Sequence, residues 1–183
     1  LTFPFVWWRK TWKNDLVPNQ IKRNYLEINS INELVLVNKP FNNLYVEKID
    51  PPDFQLNKFF YKQIGKNHRW VDRLVWKDQN WIEYLITKGV NTYVLKQENE
   101  LVGYFEQVFY DEKSDCEIAY FGILEEYMGK KLGGYLLSEA IKKSFEIGSK
   151  RVWVHTCSLD HEHALKNYLS RGMRIFKNET INL

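Results

Sequence analysis

Strands and helices intermix along this chain and close on a β-α-β-α-β run, which predicts an α/β fold: a central mixed β-sheet covered by helices. Three observations carry that expectation. Short runs of the kind that form half-buried strands recur from Tyr25 onward. From Lys130 to Ile147 apolar residues repeat at helical spacing, with Leu132, Leu136 and Ala140 in one row and Leu137, Ile141 and Phe145 in the next. Glycines stand where helices should stop, at Gly89, Gly148 and Gly172.

The elements follow in order. Leu1 to about Asn24 mixes Trp, Phe and Lys without a clear period and is expected to be an irregular arm. Tyr25-Leu-Glu-Ile and Leu34-Val-Leu-Val are β-like runs. Leu44 to Ile49 is a stronger strand, with Leu44, Val46 and Lys48 opposite Tyr45, Glu47 and Ile49. Asp50-Pro51-Pro52-Asp53 punctuates the chain, and the prolines suit the first turn of a helix running to about Gly65. A second helix starts at Asp78, carries Trp81, Tyr84 and Leu85 on one face and ends at Gly89. Thr92–Lys96 and Leu101–Phe109 flank Gln97-Glu-Asn-Glu as a hairpin, and Cys116–Ile123 is the next strand. After the helix over Lys130–Ile147 come a strand at Arg151–Thr156, a helix over His161–Ser170 and a last strand at Met173–Phe176. Residues 1–40 are expected to form an arm with short strands, and 41–183 the main body of a single compact domain.

With 183 residues, 44% of them hydrophobic, the chain can bury a sizeable core, and global disorder is excluded. The net charge of +3 is too mild to mark a nucleic-acid binder, so no nucleic-acid partner is expected. It does suit a small polyanionic ligand. Two cysteines, Cys116 and Cys157, are too few for a disulfide framework, and reduced thiols fit a cytoplasmic protein. No apolar run approaches the roughly 20 residues of a membrane span. The apolar opening is short, charge follows it, and no small-residue cleavage site appears, so neither a secretion signal nor a membrane partner is expected.

The most informative segment runs from Glu117 to Leu137: a strand, a loop, the basic turn Met128-Gly129-Lys130-Lys131-Leu132-Gly133-Gly134, and an amphipathic helix. The free N–H groups of a helix's first turn, with the positive end of its dipole, favour phosphate oxygens. Glycines let a pyrophosphate approach the backbone, and Lys130 and Lys131 add positive charge. Two other phosphate loops do not fit. A P-loop requires Ser or Thr after Gly-Lys, whereas Tyr135 follows Gly134, and Gly129, Gly133 and Gly134 lack the spacing of a dinucleotide turn. Close helix–sheet packing is the other use of such a glycine pair.

From Glu117 to Phe176 the chain resembles the core of the GNAT superfamily of acyl-CoA N-acyltransferases. That family's turn reads Arg/Gln-x-x-Gly-x-Gly/Ala and covers Met128 to Gly133 here. Gly133 matches, while Met128 stands at the Arg/Gln position and Lys131 at the first Gly. Ala164-Leu-Lys-Asn-Tyr168, closing on Gly172-Met173, is similar to the family's late helix. His155-Thr-Cys-Ser-Leu-Asp-His161 is similar to an uncharacterised bacterial branch, with His161 where Asn is frequent. The resemblance implies a splayed mixed sheet in residues 41–183 and acetyl-CoA as acyl donor. It further implies acetyl transfer to a primary amine by direct attack in a ternary complex. Whether the acceptor is a small molecule or a peptide stays open, as does monomer against homodimer.

The same resemblance assigns roles. Glu117 is the candidate base, its spacing to the turn being similar to that of the histone-acetylating branch, and burial would raise its pKa usefully. Glu106 on the preceding strand is the substitute. Tyr168 is the candidate acid, since a phenol stays protonated at neutral pH and can bond the CoA sulfur. Phe121, Gly122 and Ile123 are expected beside the pantetheine arm, and Met128 through Gly134 at the pyrophosphate. His161 is expected to touch substrate or CoA. The many aromatics, Trp70, Trp76 and Trp81 among them, are expected mostly in the core, and the resemblance implies that those of the first two helices wall the acceptor side, which suits a cationic amine. His155, Cys157, His161 and His163 match no zinc spacing, so no metal is expected, and a Cys157 nucleophile ranks below direct attack. Two other functions fit the same sequence. One is a CoA-binding protein without turnover, given Met128 and Lys131. The other is a nucleic-acid or protein-interaction module using the basic, aromatic N-terminal arm.

Overall fold

The computed structural model describes residues 20–182. The elements are β1 (Gln20–Ile28), β2 (Leu44–Lys48), α1 (Phe54–Gly65), α2 (Asp78–Leu85), β3 (Val90–Gln97), β4 (Glu100–Tyr110), β5 (Asp115–Ile123), α3 (Leu132–Glu146), β6 (Arg151–Cys157), α4 (Ala164–Ser170) and β7 (Arg174–Asn182). The strands form one mixed sheet in the order β2-β3-β4-β5-β6-β1-β7. All pairs are antiparallel except β5 with β6.

Adjacent residues on a strand point to opposite faces, and two polar neighbours on β4 show which helices cover which face. Glu106 accepts from Asn57 of α1, whereas Gln107 accepts from Ser144 of α3. So α1 lies on one face and α3 on the other. Under α3 the core gathers Leu26, Ile28, Phe105, Ile118, Leu136 and Val152, all at most 2% exposed. Under α1 a smaller cluster of Phe60, Ile64, Val94, Tyr104 and Leu124 is sealed by Phe60 stacked on Tyr104 at 4.8 Å.

Several sequence expectations need correction. Gln20–Asn24 belong to β1 rather than to an irregular arm; the arm's first 19 residues lie outside the described residues. Leu34–Val37 is not a strand. Val35 N–H bonds the Arg171 carbonyl at 3.1 Å and Val37 N–H bonds Ser138 Oγ at 3.0 Å, so the segment is anchored to helices instead of to the sheet. The prolines precede α1, which is capped by Asp53 accepting from the N–H groups of Gln55 and Leu56. The helix expected from Lys130 begins at Leu132, because Lys131 is left-handed at φ 61°. The helix expected from His161 begins at Ala164, after a turn in which Asp160 accepts from Thr156 Oγ1 and the Cys157 N–H. β7 runs on to Asn182, well past Phe176, because β1 pairs with it along nearly its whole length.

Candidate active site

Two local events in β5 build the site. First, β5 and β6 pair only from Asp115–Glu117 to Arg151–Trp153, after which they part. The wedge so opened is a cavity of about 1170 Å³, floored by Ile118–Ile123 and reached by the start of α3 and by α4. Second, Ala119 is an extra residue in the pairing with β4: Ile118 faces Gln107 and Tyr120 faces Glu106. This bulge resets the alternation, so Glu117 and Tyr120, three apart, lie on the α1 side together. Gly122 on that same side has no space for a side chain: a Cβ there would lie 2.6 Å from Ile64 of α1.

The cavity gathers Glu117, Tyr168, His161, Phe121–Ile123 and the turn residues from Met128 to Gly134 except Lys130, whose ammonium lies over the Tyr127 ring at 4.8 Å; Glu106, Trp76 and Trp81 do not line it. Glu117 is partly buried, and Tyr110 donates to its Oε2 at 2.8 Å. Burial raises its pKa above the ordinary carboxylate value, while the Tyr110 hydrogen bond and the nearby Arg73 charge oppose the rise. Tyr168 is 6% exposed, its ring edge-on to Phe121 at 6.3 Å. Burial, and then the charge of Asp160, push its hydroxyl up, so it carries its proton at neutral pH. His161 stands on the rim with its ring edge-on to His68 at 5.9 Å.

At the other end, α3 starts without a side-chain cap, so the N–H groups of its first turn stay open. Lys131 takes the left-handed conformation that glycine tolerates best, at φ 61°. Gly133 is held from behind by Asn167, whose Nδ2 donates to its carbonyl at 3.1 Å. A Cβ on Gly133 would meet nothing closer than 3.7 Å.

Sequence reading missed the wall between α1 and α2. Arg73 is 6% exposed and bonds Glu106 at 2.8 Å, with its guanidinium 4.1 Å from the Tyr84 ring and 4.2 Å from the Tyr120 ring. Glu106 is fully buried, and Asn57 fills its other oxygen at 2.8 Å. Asp72 accepts from Tyr61 at 2.9 Å and from Tyr120 at 2.5 Å. These residues sit in a connection with no periodicity, and their partners are distant in the chain. Cys157 lies on the cavity wall, but burial and the nearby Asp160 raise its thiol, which disfavours the thiolate.

This fold and this wedge agree with a family comparison: the acetyltransferase (GNAT) family model matches residues 51–173, well over half of the chain. The protein belongs to the GNAT acetyltransferase family. Solved structures add the fold. A GCN5-related N-acetyltransferase from Sphaerobacter thermophilus superposes with a TM-score of 0.68 at 12% identity, over 88% of this chain and 51% of that one. The present chain thus spans about half of that protein's length. An aminoglycoside acetyltransferase from an uncultured soil metagenomic sample, in complex with sisomicin, gives 0.61 at 16% identity, over 71% and 88%. A Bacillus subtilis acetyltransferase in complex with CoA gives 0.54 at 18% identity, over 72% and 76%. No curated protein matches the sequence. Among the described residues no helix is long and apolar enough to cross a membrane.

Proposed function

We propose that this protein is an N-acetyltransferase that moves an acetyl group from acetyl-CoA to a primary amine of a small molecule, by direct attack in a ternary complex. One observation carries the reading. A single cavity joins an uncapped helix start, a splayed strand, a protonated tyrosine and a carboxylate of raised pKa. Acetyl-CoA would supply an activated thioester, and the residues fit it. The open N–H groups at the start of α3 suit the pyrophosphate, and the unpaired stretch of β5 after Glu117 suits the amides of a pantetheine arm.

Glu117 then receives a proton from the acceptor ammonium, through its Oε1 or a water. Tyr168 donates its hydroxyl proton to the departing sulfur. Glu106 does not suit the base role, because both of its oxygens are engaged and the carboxylate lies off the cavity. Asp72 and Glu117 on the α1 side, beside Tyr110 and Tyr120, suit a cationic amine. The aminoglycoside acetyltransferases that share the fold are consistent with a small-molecule acceptor. A CoA-binding protein without turnover is the alternative.

The test combines binding with turnover. CoA should raise the melting temperature by mass action, and Gly133→Asp should abolish the shift. Thiol release from acetyl-CoA across a panel of amines separates an enzyme from a binder. No melting shift at millimolar CoA in folded protein would refute the whole reading.

A further inference from the structure

We infer that Arg171, arriving from the end of α4, donates from its guanidinium to a pyrophosphate oxygen of the cofactor; the inference rests on the CoA reading above. Of the turn's own side chains only Lys131 brings charge to the cavity. Met128 is apolar, and Lys130 is turned onto Tyr127. Arg171 approaches from the opposite side. Its backbone N–H bonds the carbonyls of Asn167 and Tyr168, and its side chain crosses to α3. There Nη1 stands 2.8 Å from the place a Cβ would take on Gly134, the third residue of the helix. Gly134 leaves the space that the guanidinium occupies. Asn167 fixes the two elements together by bonding the Gly133 carbonyl.

Arg171 has no anion of its own among the described residues. Arg23, Arg73, Arg151 and Arg174 each lie against a carboxylate. Arg171 does not: its Nε is buried with no hydrogen-bond partner, and burial lowers its pKa with no carboxylate opposing. A cation with a buried, unpaired Nε and no carboxylate beside it is unfavourable in the free protein. It lines the cavity beside the open N–H groups of α3, which also lack acceptors. One ligand group satisfies both: a pyrophosphate, whose several oxygens can accept from a planar guanidinium and from a helix start at once.

The experiment compares wild type with Arg171→Leu, reading the melting temperature of the free protein and calorimetric Kd for three ligands. CoA carries all its phosphates, dephospho-CoA keeps only the pyrophosphate, and pantetheine has none. The free variant should melt at or above wild type, because the lost group is a cation with no carboxylate beside it and a buried, unpaired Nε. CoA and dephospho-CoA should both bind about 10- to 100-fold more weakly, the range of one charge-assisted hydrogen bond, with pantetheine unchanged. Gly134→Ala should weaken the same two ligands by pressing on Nη1, and should add little in the Arg171→Leu background. Undiminished CoA affinity, or a free variant melting well below wild type, overturns the assignment. So does a loss that spares dephospho-CoA, which would move the contact to the 3′-phosphate. Wild-type protein that binds neither nucleotide overturns instead the CoA reading on which the assignment rests.

Discussion

At Glu117 the environment sets the chemistry. Burial lifts its pKa, and Tyr110 and Arg73 keep the rise moderate. If Glu117 is the base, turnover should fall as pH drops through that raised value, where the carboxyl takes up its proton. Glu117→Gln should cost roughly 10²-fold in turnover and remove the acidic limb, with CoA affinity unchanged; a stopped-assay pH profile checks both. Stability carries the opposite sign. A carboxyl raised on folding lowers stability as pH rises from its unfolded to its folded value. Glu117→Gln should therefore melt higher than wild type at pH 7, and the gain should vanish below about pH 4. Tyr168 invites a parallel comparison. Tyr168→Phe keeps the ring against Phe121 and should lower transfer roughly 10- to 10³-fold with little change in melting. A Tyr168→Phe variant as active as wild type would leave the residue a core aromatic, whose loss in Tyr168→Ala costs about 3 kcal/mol or more.

Among the elements, the start of α3 and the wall between α1 and α2 each hold a cost. Lys131 sits left-handed where a Cβ is disfavoured by about 1–2 kcal/mol. Lys131→Gly should raise the melting temperature while weakening CoA severalfold, since it relieves strain and removes a cavity cation. Thermal melts and CoA titration on one variant would show the two properties moving in opposite senses. The Arg73–Glu106 pair is the reverse case. Arg73→Met leaves Glu106 buried without its cation and should destabilise the fold by about 3–5 kcal/mol, measured by denaturant unfolding. It should also free Tyr84 and Tyr120, which flank the guanidinium at the acceptor side.

The wedge depends on the whole sheet. β6 is tied along Val152–Cys157 to β1 but to β5 only at its first three residues. Its direction is therefore set from the β1 side, which holds it away from β5. β1 also joins β7 to the sheet and buries Leu26 and Ile28 completely. Removing residues 1–28 should abolish cooperative folding, since β7 loses its partner and the core loses two large side chains. A sharp melt or native-like circular dichroism in that truncation would show β1 to be dispensable.

The sequence by itself determined the mixed α/β class, a run overlapping each of the seven strands, and the glycine-rich turn at a helix start. These are local properties: alternation, helical spacing and stop residues act within a few positions. The exception was long-range in cause. β-like composition at Leu34–Val37 could not reveal that its N–H groups go to Ser138 and Arg171. The tertiary structure alone decided the insertion of β1 between β6 and β7, the bulge at Ala119 that puts Glu117 and Tyr120 on one face, and the Arg73–Glu106 pair. Each is a pairing between positions well beyond the reach of local periodicity, or the register shift that such a pairing imposes. Burial and charge at the site follow from those pairings, so they become legible only when the chain has closed on itself.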